Sequence, residues 1–325
     1  VSKKLSTRIE ELQIENQPKL IVLDDEEDHR HWRHFKQLNG ARVFDRVAAD
    51  ETDLIFYTSG TTGAPKGTPL THKNLLHQLK SLEALKMVTE QDRMLLPLPL
   101  HHVYPFTIGL LASLYLGVRI VLPGSLTGSE IIRALKEQRI GIIVGIPRLY
   151  RALLEGIGRQ VESLVWPLRL VLKGLIRLSI FTRQYLNLNL GRFILFALHQ
   201  KFAPHLKMLL SGGAPLPSDT AMKLEGIGWK VGIGYGLTET SPLLTMVLPG
   251  TGHWGSAGKA VEGVSIRIAK TDDTTQEMGE VLAKGPNVFN GYLNNPEKTK
   301  EAFTDDNWFR TGDRGKLDNK GFLYL

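Results

Sequence analysis

YTSGTTGAPKGTPLTHKN, residues 57–74, crowds glycines and hydroxyls around one lysine. A loop that grips polyphosphate needs backbone N–H groups free to point inward, glycines that let the chain approach, hydroxyl donors and a cation. Thr58, Ser59, Gly60, Thr61, Thr62, Gly63 and Lys66 supply all four, and the run 53–57, apolar after Asp53, reads as a strand feeding the loop. The segment is not the G-x-x-x-x-G-K phosphate loop, because Pro65 stands where that pattern needs glycine. A flexible Ser/Thr/Gly linker accounts for the glycines and hydroxyls, but not for Pro65-Lys66-Gly67 so soon after an apolar strand.

Outward from this stretch, Thr71 precedes a helical run to about Leu85, with Leu75, Leu76, Leu79, Leu82 and Leu85 at helix spacing. Residues 20–28 read as a short strand ending in an acidic turn. Residues 94–100 are strand-like but interrupted by Pro97 and Pro99, and a helix over 106–116 and a strand over 118–122 follow. Apolar strands are expected within 140–147, 205–213 and 229–236. Strands alternating with helices predict an α/β fold of mostly parallel sheets flanked by helices. After Gly250 the pattern changes to short alternating segments with turn signals and no long helix, which predicts a small antiparallel, barrel-like β subdomain. The expected division is therefore 1–250 and 251–325.

With 42% hydrophobic residues in 325, the chain can bury one large or two ordinary cores, which excludes a disordered or fibrous protein. It has no cysteine, so disulfides and thiolate metal sites are excluded, and a reducing cytosol is compatible. His29, His31 and His34 invite a zinc reading, but i, i+2 spacing does not bring rings together on a helix, and a solvated stretch is expected. The net charge of +7 is local: residues 159–207 hold eight basic side chains against Glu162 alone, and the remainder balances. That pattern points to one anionic surface and not to nucleic acid. Arg169, Lys173, Arg177 and Arg183 fall within an arc of about 120° at roughly 100° per residue, on an otherwise apolar helix. Such a stripe suits an anionic membrane surface, with a buried helix carrying a solvated basic edge as the competing reading. No apolar run reaches the roughly 20 residues that span a bilayer, since 106–118 stops at Arg119.

The segment at 58–67 resembles the signature loop of the adenylate-forming superfamily: acyl-CoA synthetases, luciferases and peptide-synthetase adenylation domains. Ser211-Gly212-Gly213-Ala214-Pro215-Leu216 is similar to the family's adenine-side turn, Gly234-Tyr235-Gly236-Leu237-Thr238-Glu239-Thr240 to its second nucleotide motif, and Trp308-Phe309-Arg310-Thr311-Gly312-Asp313 to its ribose-binding segment. Each residue type suits its implied task. Tyr235 offers a flat face to adenine, while Gly213, Ala214, Pro215 and Gly236 let backbone approach the nucleotide. Asp313 can accept from both ribose hydroxyls, Thr238 can donate to the α-phosphate, and Glu239 is a hard oxygen ligand for Mg²⁺. Lys66, Thr238 and Glu239 are the implied catalytic set. His102 falls where the family places a ring lining the carboxylate pocket, with a solvated loop histidine as the competing reading.

The resemblance implies a long-chain fatty acid:CoA ligase that consumes ATP, Mg²⁺ and CoA in two half-reactions, through acyl-AMP. Long-chain acyl-CoA synthetases carry extra sequence ahead of the Ser-Gly-Gly-Ala-Pro turn, which favours the membrane reading of the basic helix. The expected setting is cytoplasmic, with peripheral contact on the cytoplasmic face of an anionic membrane. Family members also extend before Val1 and beyond Leu325, where a small domain carries the adenylation lysine, so this chain is expected to be a central part with little activity alone. Two alternatives stand beside this reading: loading of an acyl carrier protein in place of CoA, and a non-catalytic ATP-binding or membrane-associated module. Acyl chain length and oligomeric state are open at this level.

Overall fold

The computed structural model describes Glu11, Glu27 and residues 48–58, 65–269 and 278–325. Residues Val1–Val47 form one unit and Ala48–Leu325 a second. Apart from Glu27, the strand expected over 20–28 lies outside the described residues, as do the histidines at 29, 31 and 34 and loop residues 59–64.

Strand β1 (Thr52–Thr58) pairs antiparallel with β2 (Lys66–Thr71), Thr58 opposite Lys66 and Tyr57 opposite Gly67. The signature loop thus connects the two strands of a hairpin, and Lys66 opens the second. Helix α1 (His72–Ala84) follows at once. Thr71 caps it: the Asn74 N–H donates to Thr71 Oγ1 (3.2 Å) and the Thr71 N–H returns to Asn74 Oδ1 (2.9 Å).

The large sheet holds β3 (Arg93–Leu95), β4 (Arg119–Val121), β5 (Ile142–Gly145), β6 (Met208–Ser211), β7 (Lys230–Tyr235), β8 (Thr245–Val247) and β9 (Lys259–Ala260), in spatial order 4-3-5-6-7-8-9. The first five strands are parallel and the last two antiparallel. Every residue of β5 and β6 is buried, as a sheet covered on both faces requires. Alternation sorts their side chains: Ile143 and Leu209 join Leu135, Leu224 and Trp229 in one core, while Ile142, Val144, Met208 and Leu210 join Leu70, Leu75 and Leu96 in the other. The flanking helices are α2 (Gly128–Glu137), α3 (Pro147–Glu162), α4 (Trp166–Leu186), α5 (Phe196–Phe202) and α6 (Ser218–Ile227). Between β3 and β4 the expected helix divides into a π-helical stretch, Pro105–Leu111, and one α turn, Ala112–Tyr115.

A second sheet holds four antiparallel strands, β10 (Ser265–Ile268), β11 (Gly279–Lys284), β12 (Phe309–Leu317) and β13 (Leu323–Tyr324), with α7 (Pro296–Ala302) between β11 and β12. The Ala257 N–H donates to Leu323 O (2.7 Å), joining this sheet to the edge of the first.

The basic stripe needs correction. Arg183 is 3% exposed and pairs with the 1% exposed Glu225 at 2.6 Å, so it faces α6 and not solvent. The cause is a set of polar groups that its long side chain can satisfy inside: Nε and Nη2 donate to Glu225 Oε2, Nη2 also to Gly250 O, and Nη1 to Asn187 O and Oδ1. Arg169 and Lys173 turn to Glu162, at 3.6 and 2.5 Å. Arg177 alone of the four is on the exposed face, among Val171, Leu178, Phe181 and Tyr185.

Candidate nucleotide and acid site

The loops that follow β3, β5, β6 and β7 gather at the C-terminal ends of the parallel strands, where open α/β sheets bind ligands. With Phe56, Tyr57 and Thr58 from β1 they enclose a cavity of about 570 Å³. The Tyr104 hydroxyl anchors one wall by donating to Gly145 O (3.2 Å) and Leu210 O (3.0 Å), bridging the ends of β5 and β6. Its ring passes so close to Gly212 that a Cβ there would lie 2.9 Å from Tyr104 Cζ. Gly236 has still less room, since a Cβ would fall 1.7 Å from Pro242 O. The two glycines are therefore demanded by close approach.

At the end of β7, the Tyr235 hydroxyl donates to Asp313 Oδ2 (2.8 Å), and the Asp313 N–H is held by Thr311 Oγ1 (3.1 Å). Burial, and then the Asp313 carboxylate, push the Tyr235 phenol well above its ordinary range, so it remains a donor. The two motifs separated by 78 residues thus meet through one bond. His101 and His102 also line the cavity, with ring centroids 4.2 Å apart. Desolvation, with the His101 ring, lowers the His102 pKa, which favours the neutral imidazole at pH 7.

The segment after Gly236 makes one short 3₁₀ turn, Thr238–Thr240. Its hold on the body is dense. Asn287 Nδ2 donates to Thr240 O (3.0 Å) and Leu243 O (2.9 Å), and Gln78 bonds Leu243 through both its amide atoms. Glu239 is buried, its carbonyl accepts from the Phe289 N–H (2.8 Å), and its Oε1 accepts from the Tyr292 hydroxyl (2.9 Å). Lys66 Nζ lies 4.3 Å from the centroid of the same Tyr292 ring.

Of the residues singled out by sequence, Thr58, His102, Gly213, Tyr235, Gly236 and Thr238 line the cavity. Asp313 reaches it through Tyr235, and Lys66 and Glu239 share Tyr292. Ala214 and Pro215 are exposed just beyond the lining, and Ser59, Gly60, Thr61, Thr62 and Gly63 lie outside the described residues. Sequence reasoning missed Tyr104, Tyr292, Gln78 and Asn287. The Gly291-Tyr292 pair in a polar stretch was the one visible signal.

A magnesium ion fits this donor set in a particular way. Among the described residues no group of three acidic or histidine side chains could cage a metal, but Mg²⁺ bound with nucleotide usually takes one or two carboxylates plus phosphate oxygens. Glu239 is such a carboxylate: Tyr292 holds its Oε1, and Oε2 has no hydrogen bond among the described residues.

The AMP-binding enzyme family matches residues 2–293. The chain belongs to that family. A malonate–CoA ligase of Arabidopsis thaliana is 30% identical over 85% of this chain and 42% of its own length. Long-chain-fatty-acid–CoA ligase 2 of Schizosaccharomyces pombe is 30% identical over 85% and 43%. The o-succinylbenzoate coenzyme A synthetase of Bacillus subtilis, solved with ATP and magnesium ion, superposes with TM-score 0.65 at 28% identity, over 85% of this chain and 50% of that one. The chain spans less than half the length of those two curated relatives. They are CoA ligases of different acids, so family membership leaves the acid unassigned. Among the described residues no helix is long and apolar enough to cross a membrane.

Proposed function

We propose that the chain is the ATP- and acid-binding part of an AMP-forming acyl-CoA ligase acting on a long-chain fatty acid. The observation that carries the reading is the cavity onto which Thr58, His102, Gly213, Tyr235, Gly236 and Thr238 converge, with Tyr235 bonded to Asp313. In the proposed reaction a carboxylate oxygen of the acid attacks the α-phosphorus of ATP, and the bond from that phosphorus to the pyrophosphate oxygen breaks. The CoA thiol then gives up its proton and attacks the acyl carbon, AMP leaves, and a thioester remains. Tyr235 would offer its face to adenine and Asp313 its Oδ1 to the ribose, Oδ2 being held by Tyr235. Thr238 would donate to the α-phosphate, while Lys66 and the hydroxyls of the 58–63 segment stabilise charge on the leaving pyrophosphate. Glu239 would hold Mg²⁺, which when bound supplies charge stabilisation at the phosphate oxygens. Phe56, Leu98, Val103, Ile146 and Leu243 give the cavity apolar wall suited to an acyl chain. Residues 251–325 act in this scheme as a small β subdomain that brings Asp313 to the nucleotide.

Peripheral membrane contact is part of the proposal in altered form. Its support is the apolar outer face of α4, with Leu168, Val171, Leu178, Phe181 and Tyr185 exposed, and Phe193 beyond it 88% exposed. Arg177 is the basic group on that face, so insertion of apolar side chains, more than a four-charge stripe, would drive binding.

The experiment is to incubate the complete protein with ATP, Mg²⁺ and acids from malonate to long-chain saturated, with CoA or holo acyl carrier protein in parallel. A CoA thioester formed best with the long chains is expected. Thioester confined to the carrier protein, or to short dicarboxylic acids, would overturn the assignment. Co-sedimentation with anionic vesicles that disappears in a Phe181→Ser, Phe193→Ser variant is expected, and sedimentation unchanged by those substitutions would exclude the proposed face.

A further inference from the structure

Tyr292 lies in the loop between β11 and α7, and the reaction scheme gives it no chemical task. Three elements meet on it. Its hydroxyl donates to Glu239 Oε1 (2.9 Å), and its ring lies 4.3 Å from Lys66 Nζ. Its own backbone is fixed, because its N–H donates to Thr299 Oγ1 (2.9 Å) and the next residue, Leu293, donates its N–H to Gly67 O (2.9 Å). The ring packs edge-on against Phe289 with centroids 4.9 Å apart, and Phe289 in turn binds the Glu239 carbonyl. One side chain therefore fixes a carboxylate by its polar tip and an ammonium by its π face. This is an economical way to hold opposite charges near each other without letting them neutralise in a direct ion pair.

We infer that Tyr292 is a positioning residue that seats Glu239 and Lys66 for the metal and the phosphates of bound ATP, an inference that rests on the ligase reading. Holding Oε1 orients the Glu239 carboxylate so that Oε2 is the oxygen offered to the cation. Lys66, attracted to the ring and not to Glu239, keeps its charge available to phosphate.

The test separates tip from ring in the complete protein. Binding of a non-hydrolysable ATP analogue is measured by calorimetry with and without Mg²⁺, alongside acid-dependent pyrophosphate exchange. Tyr292→Phe should weaken Mg²⁺-dependent analogue binding by about tenfold, the scale of losing one hydrogen bond to a charged group, while leaving metal-free binding unchanged. Tyr292→Leu should also weaken metal-free binding, and should add nothing to the loss already caused by Lys66→Ala, since both remove the same contact. A purely structural tyrosine predicts the reverse: no change in Mg²⁺ dependence for Tyr292→Phe, and effects of Tyr292→Leu and Lys66→Ala that add. Either result would overturn the inference. If Tyr292→Leu fails to fold, the isosteric Tyr292→Phe still decides. Mg²⁺-dependent binding with no exchange in the parent would retire the ligase reading alone. Normal exchange in the parent with an unaltered Tyr292→Phe would retire this inference alone.

Discussion

Tyr235 and Asp313, proposed for adenine and ribose, are joined by a hydrogen bond that sequence did not reveal. The resemblance of their motifs suggested the Tyr235 ring as a stacking surface and Asp313 as a ribose acceptor. The 2.8 Å bond between them was not legible, since nothing local in either motif encodes a contact across 78 residues. That bond makes Tyr235→Phe a useful probe: the ring stays, and the hydroxyl that tethers Asp313 is removed. Binding of AMP to the variant should weaken by about 1.5–3 kcal/mol, the range for a hydrogen bond to a charged group, with thermal stability almost unchanged. Calorimetric titration checks this, and an affinity equal to that of the parent would mean that the tether does not order the site. Tyr104 and Asn287 escaped sequence reading for a related reason. Their roles depend on carbonyls left unpaired at strand ends and loops, and those exist only once the sheet is assembled.

Helix α4 shows where periodicity misleads. The angles of Arg169, Lys173, Arg177 and Arg183 are compatible with one face, but periodicity does not tell a solvated basic edge from one that finds buried acceptors. Glu225, 42 residues away, decides the matter for Arg183. Glu225 also accepts from the N–H groups of Val231 (3.2 Å) and Gly250 (3.0 Å) and from the Trp254 indole (3.1 Å), so it would remain buried and charged if Arg183 were removed. Arg183→Met should therefore destabilise the protein by about 3–5 kcal/mol, as expected for half of a buried pair. Arg177→Met on the exposed face should change stability by less than about 0.5 kcal/mol. Paired denaturant melts compare the two, and equal midpoints would contradict the buried placement. By contrast the Thr71 cap and the helix after it were readable directly, because a capping residue followed by leucines at helix spacing is a local signal.

At the scale of the whole molecule, the parallel sheet was legible from runs such as 142–145 and 208–211, which are apolar at every position and suit strands buried on both faces. The hairpin placement of Lys66 was not, because strand–loop–strand and strand–loop–helix share the same glycine-rich punctuation. Global stability also carries a pH signature. His199 is buried, its Nε2 bonded to Ile227 O (2.9 Å) while Nδ1 has no partner among the described residues. Burial, with the nearby Arg192 charge, lowers its pKa below the ordinary value. Between the lowered and the ordinary value the unfolded chain binds the proton and the folded one does not. The His199 contribution is therefore complete above about pH 6.5 and is lost as pH falls below it. The melting temperature should drop on going from pH 7.5 to about 5.5, and His199→Gln, which can still donate to Ile227 O, should lose part of that dependence. Identical pH profiles for parent and variant would contradict it.

The central claim, that the cavity beside Tyr235 is where an acid is joined to AMP, has one direct measurement: exchange of labelled pyrophosphate into ATP by the complete protein, with and without a long-chain fatty acid and without CoA. The account predicts exchange that requires both the acid and Mg²⁺ and that falls by at least about tenfold in Lys66→Ala and in Glu239→Gln, as expected when a charge-assisted contact to phosphate or metal is lost. Exchange that proceeds without acid, or that both variants sustain at the parent rate, would contradict it.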